Sequence, residues 1–142
     1  MSIKTIHHDL PSLKAKITGE LDDAAGLALF RGIPYASVTQ RWTHSRTMHL
    51  LDSTFDATKF GPRCVQGDGP VMVSGGTNDA TPGDDEFRCL NLNITVPSDV
   101  LLDPEYRKTT GLLPVMFWIH GYVGFINTFN KVVVPMYHKQ NK

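Results

Sequence analysis

The stretch from Pro114 to Phe125 reads PVMFWIHGYVGF and carries the strongest chemical signal in the chain. An apolar run drops straight into His120-Gly121, and Gly124 follows three residues later. A strand ending in His and clustered glycines is the arrangement of an oxyanion loop. Small residues let the backbone bend until its N–H groups aim at an oxygen that becomes negative during acyl transfer. Here Tyr122 and Val123 interrupt the glycines, and a β-branched valine resists a positive-φ turn. The loop is present in outline, as His120, Gly121, Tyr122 and Gly124.

Acyl transfer also needs a nucleophile, and a serine presented on a sharp strand-to-helix turn has the pattern G-x-S-x-G. The seven serines are Ser2, Ser12, Ser37, Ser45, Ser53, Ser74 and Ser98, and none has glycine two positions away on both sides. Ser74 comes nearest, with Met72 where the first glycine belongs. Other chemical residues read blandly. Asp84-Asp85-Glu86 lacks the alternating oxygen spacing of a calcium loop and reads as a solvated acidic turn. His7-His8-Asp9 reads as a frayed, solvated end. Asn93-Ile94-Thr95 matches a glycosylation pattern but lies inside an expected strand, which argues against occupancy. Cys64 and Cys89 stand alone, without a CxxC or a Cys/His cluster, so no metal site and no cofactor are expected.

A chain of 142 residues suits one domain. Fourteen basic and fourteen acidic residues balance, and no basic stripe points to a nucleic-acid partner. No stretch approaches the roughly 18 apolar residues of a membrane span. The first residues, MSIKTIHHDLPSLK, show no apolar core of a secretory signal.

The elements that must position these residues read mostly as strands and loops. Leu13 to Thr18 and Leu27 to Phe30 are expected as two strands with a loop between them, and Gly32-Ile33-Pro34-Tyr35 as a turn. From Ala36 to Asp56 no helical period holds, Phe60 to Cys64 is another turn, and Gly67 to Asp85 reads as an exposed loop. Leu90, Leu92, Ile94 and Val96 alternate with polar residues, which predicts a strand with one buried face. Asp103 to Thr110 reads as a surface connection. Leu112 to Ile119 is almost wholly apolar, which predicts a strand buried on both faces at the centre of an α/β sheet. No helix of ordinary length is expected.

Five motifs in order then resemble the type-B carboxylesterase/lipase family, which includes cholinesterases and fungal lipases. They are GLALFRGIPYA, Arg41-Trp42, FDATKFGPRCVQ, CLNLNITVP and LPVMFWIHG, covering roughly Leu27 to Gly121. The resemblance implies an α/β-hydrolase fold, here partial, with only N-terminal strands of the central sheet. It implies hydrolysis of a small-molecule carboxylic ester in a full-length parent, by a triad of serine, acid and histidine lying downstream of this chain. His120 matches the motif histidine that orients the loop, not the triad base, so no triad residue is assigned and the chain alone is expected to be inactive. Cys64 and Cys89 match the family's early disulfide pair, which would contribute about 3 kcal/mol in an oxidising compartment. Such a pair suits a secreted parent, and the compartment stays open. Two departures stand out: Phe87 and Arg88 occupy positions where the family usually has acidic residues, and two residues replace the middle glycine of the oxyanion loop. The alternative class is a non-catalytic carboxylesterase-like interaction module.

These readings divide the chain into residues 1–121, resembling the family, and a non-matching tail, residues 122–142. Gly-Tyr-Val is what GG followed by the intron start GTATGT encodes, so one reading of the tail is translated intron. The other is a genuine one-residue insertion in a divergent protein.

Overall fold

The computed structural model describes residues 4–65, 83–103, 105–106, 108 and 113–118. Strand β1 (Thr5–Leu10) turns through a 3₁₀ segment, Pro11–Leu13, into β2 (Ala15–Asp22), with Leu10 opposite Ala15 and Thr5 opposite Glu20. Proline sets the φ of that turn, and Lys14 closes it in the left-handed region, φ 53°, with its N–H donating to the Pro11 carbonyl. The His7-His8-Asp9 segment is therefore not a frayed end. It pairs along β2, and His7 Nδ1 lies 2.9 Å from the Thr18 hydroxyl directly across the ladder.

β2 runs on through Thr18 to Asp22, where the sequence suggests a loop. Ala15, Ile17 and Gly19 point inward at period two, and Gly19 faces the Phe30 ring with no space for a side chain. The turn proper is short: Asp22 Oδ1 accepts from the Ala25 N–H at 3.0 Å, and Gly26 supplies φ 66°. β3 (Leu27–Pro34) then pairs antiparallel with β2.

Gly32 to Tyr35 is likewise not a chain-ending turn. β3 continues to Pro34 and pairs with β7 (Asn91–Pro97) on both sides of a register shift between Phe30 and Ile33. Gly32, at φ 65°, absorbs this bulge, and its N–H donates to Asn93 Oδ1 at 2.9 Å. Two short strands, β4 (Ala36–Ser37) and β5 (Arg46–Thr47), pair with each other. β6 (Thr54–Asp56) adds in parallel to the first part of β2, below the stretch where β2 meets β3. The five-stranded sheet has the order β1-β2-β3-β7 with β6 on β2, and one helical turn, α1 (Ser98–Leu102), follows β7.

The core is Ile6, Ala15, Ile17, Ala28, Phe30, Ile33, Leu51 and Ala57. Leu92, Ile94 and Val96 pack against it half-buried, while Asn91 and Asn93 are buried at 5% and 8% exposure. β7 is therefore covered on both faces, contrary to the expected single buried face. Its asparagines are accommodated because each finds backbone partners.

The expected doubly buried strand over Leu112 to Ile119 is not found: residues 113–118 form no strand. Val115 and Phe117 are 70% and 63% exposed, and Met116 and Trp118 are exposed as well. An apolar run becomes a two-faced strand only when ladder partners and covering layers exist. Among the described residues the sheet path stops at β7, and nothing pairs with this run.

Candidate functional site

The oxyanion-loop residues His120, Gly121, Tyr122 and Gly124 lie outside the described residues. What is described is the apolar run leading to them and, separately, a cysteine junction built where residues 62–64 meet residues 84–91.

At that junction the structure brings Cys64 and Cys89 together as thiols. The pair stands 3.0 Å apart, beyond the roughly 2.05 Å of a disulfide bond, so no disulfide joins them here. Cys89 is buried, and Cys64 is exposed. Burial, and next the adjacent Cys64 sulfur, push the Cys89 thiol up to about 11. Tyr35 reaches the same neighbourhood, its phenol also raised by burial and then by the two sulfurs.

Three acidic residues hold the rim. Arg41 grips Glu86 with two parallel bonds, Nε to Oε2 at 2.5 Å and Nη2 to Oε1 at 3.0 Å. Arg63 pairs with Asp84 at 2.8 Å, and Arg88 with Asp85 at 2.6 Å. Asp85 also accepts from the N–H groups of Phe87 and Arg88. Arg88, ahead of the Phe87 N–H, holds the Asp85 carboxyl below the usual carboxylate range. Phe87 and Arg88 stand directly before Cys89, and the acids just ahead of them, Asp85 and Glu86, make the ion pairs. With each carboxylate on a guanidinium, the acidic triplet runs into a solvent-exposed turn at residues 86–88 and is at the same time an ion-pair cluster. Among the described residues no group of three or more His, Cys, Asp or Glu side chains is placed to hold a metal.

Beside the junction lies an open cavity of about 370 Å³, lined mainly by apolar side chains including Met48, Phe55, Phe60 and Phe87, with Lys59 and Arg88 at its polar points. Ser37 also lines it, but none of the lining residues is a histidine. Among the described residues no serine–histidine pair is therefore assembled there. Asp56, at its edge, accepts from the Thr58 hydroxyl and N–H, the hydroxyl first, and so keeps its carboxyl below the usual range.

Sequence reasoning missed three residues that organise this region: Asn91, Asn93 and Arg31. Asn91 Nδ2 donates to the Pro62 carbonyl at 2.8 Å and to the Arg88 carbonyl at 3.2 Å. The signal was available, since polar residues at every second position of an otherwise apolar strand need partners when that face is covered.

The unequal burial of the two sulfurs has a measurable consequence. In the reduced chain at pH 8, Cys64 should react with a disulfide reagent such as Ellman's, and Cys89 at least about tenfold more slowly. Comparing Cys89→Ser with Cys64→Ser separates the two rates, and equal rates would contradict the burial of Cys89.

Comparison with known proteins gives the region a lineage. A sequence model described as the carboxylesterase family matches residues 11–136. The chain is 33% identical over 114 residues to lipase 1 of Yarrowia lipolytica, covering 78% of this chain and 20% of that protein. It is 37% identical over 108 residues to phenmedipham hydrolase of Pseudarthrobacter oxydans, covering 72% and 19%. To the human bile salt-activated lipase it is 33% identical over 106 residues, covering 75% and 12%. The chain thus spans a fifth or less of these relatives' lengths. Among solved structures, a PNB esterase superposes on 68% of this chain and 19% of its own, with a TM-score of 0.50 and 25% identity. The described strands accordingly represent part of an α/β-hydrolase fold. Among the described residues no helix is long and apolar enough to cross a membrane. The match over residues 11–136 takes in nearly all of the chain: it belongs to the carboxylesterase family.

Proposed function

We propose that this chain is an N-terminal portion of a carboxylic ester hydrolase and that it does not hydrolyse esters by itself. The observation that carries this reading is the pairing of family membership with coverage. The chain matches a fifth or less of each relative, and none of its seven serines sits in a G-x-S-x-G turn. In the full-length parent, an acyl-enzyme would form on a serine that this chain lacks, and the loop after Ile119 would contribute N–H donors to the oxyanion. The substrate class is a small-molecule carboxylic ester. In an oxidising compartment Cys64 and Cys89 would join, closing the segment between them.

The purified 142-residue chain should release p-nitrophenol from p-nitrophenyl acetate or butyrate no faster than buffer. Release abolished by a serine-reactive phosphonate would overturn the reading. The boundary between residues 1–121 and 122–142 belongs to the same proposal and rests on Tyr122 and Val123, although the family match itself runs on to residue 136. Genomic sequence without GTATGT at the Gly121 codon would remove the translated-intron reading of the tail.

A further inference from the structure

We propose that the cysteine junction is fastened without its sulfurs: a clasp of amide and ion-pair contacts, centred on Asn91 and on Arg63–Asp84, holds residues 62–64 against residues 84–91 while both thiols are reduced. Oxidation of the pair is then a second, independent fastening.

The clasp has three layers. Arg63 and Asp84 form a parallel β-bridge, and the Asp85 N–H donates to the Arg63 carbonyl at 2.9 Å. Around that bridge the side chains repeat the connection, Arg63 Nη2 lying 2.8 Å from Asp84 Oδ1. Beneath it the Asn91 amide spans both segments, donating to the Pro62 carbonyl on one and the Arg88 carbonyl on the other. Gly61 makes this approach possible. A Cβ at Gly61 would fall 2.4 Å from Asn91 Cγ, inside any real contact distance.

The layers differ in strength. Arg63–Asp84 is about one-third exposed and partly screened by water, so its contribution is small. Asn91 is buried, and its removal takes a donor from both the Pro62 and the Arg88 carbonyls, which makes it the principal fastener. None of these contacts involves a sulfur–sulfur bond. Cys89 Sγ contacts the Glu86 carbonyl at 3.7 Å within one segment, and the non-bonded approach of Cys64 to Cys89 at 3.0 Å, which does cross the junction, is removed in the double serine variant below.

Hydrogen exchange of the Asp85 amide in the full chain reads the clasp directly, because that N–H crosses the junction. Its protection should agree within about threefold between the reduced and oxidised wild-type chain, and in a Cys64→Ser, Cys89→Ser double variant. In reduced Asn91→Ala it should fall by about tenfold or more and return when the sulfurs are oxidised. Where Asn91→Ala also strips protection from the Ile17 amide in β2, Asp84→Asn takes its place, with an expected fall of about threefold in the reduced chain. A tenfold loss on reducing the wild type, or in the double serine variant, would overturn the proposal. So would unchanged protection in both reduced Asn91→Ala and reduced Asp84→Asn.

Discussion

Gly32→Ala should destabilise the fold by about 3 kcal/mol or more, enough to leave a domain of ordinary stability close to its unfolding threshold. Two costs add at this position. The backbone sits at φ 65°, where a residue with a Cβ pays about 1–2 kcal/mol. The new methyl would then lie 2.7 Å from the Gly61 nitrogen, 2.9 Å from the Lys59 carbonyl oxygen and 3.1 Å from Gly61 Cα. All three are backbone atoms, so no side chain can rotate away, and relief requires the bulge itself to move. Movement would in turn disturb the Gly32 N–H bond to Asn93 and the β3–β7 register on either side. Gly26→Ala is the matched control, because Gly26 has nearly the same φ, 66°, but nothing within 4 Å of its would-be Cβ. It should cost only the conformational part, about 1–2 kcal/mol. Urea midpoints of the two variants measure the difference, and equal shifts would show that the Gly32–Gly61 approach contributes nothing.

That close approach also marks the limit of what the residues disclose in sequence. The strands around Ile17, Phe30 and Ile94 were legible because apolar alternation and turn residues act locally. The extent of β2 was not. Gly19, Asp22 and Asp23 are turn-forming by type, yet only the arrival of the Phe30 ring explains why Gly19 belongs in a strand. The Gly32-Ile33-Pro34 segment carries the same composition as a turn and becomes a bulge because β7 supplies ladder partners on both sides of it. Asn91 and Asn93 are polar by type, yet they are buried by partners that arrive from distant segments. Leu113 to Trp118 shows the converse. Its composition is that of a central strand, but composition does not provide neighbours. The candidate chemistry divides the same way: the cysteine pair and the ordered motifs could be read residue by residue, while the ion-pair collar depends on Asp84 and Glu86 meeting arginines from distant segments, Asp85 alone finding its arginine within its own turn.

Arg31→Ala should cost about 3 kcal/mol, well beyond what a surface ion pair loses, because Arg31 joins three separate parts of the sheet. From β3 its Nη1 reaches Glu20 on β2 at 2.5 Å and the Thr58 carbonyl, just past β6, at 3.0 Å. Its guanidinium also lies 5.1 Å from the centre of the Phe60 ring. The side chains of Arg31 and Glu20 are only 18% and 29% exposed, so screening is limited, and truncation leaves a carboxylate and a carbonyl without this donor. Charge-assisted bonds of this kind contribute about 1.5–3 kcal/mol, and the ring contact about 0.5–1. Arg31→Lys should recover roughly half, since an ammonium restores the charge but not the planar guanidinium that stacks on the ring. Arg41→Ala provides the comparison. Its pair with Glu86 is bidentate, but the Arg41 side chain is 70% exposed, so the loss should be smaller than for Arg31→Ala and shrink with added salt. Denaturant titrations of the three variants at low and high salt decide the matter. If Arg31→Ala costs no more than Arg41→Ala, or fades equally with salt, the sheet is held by its apolar core and Arg31 is an ornament of it.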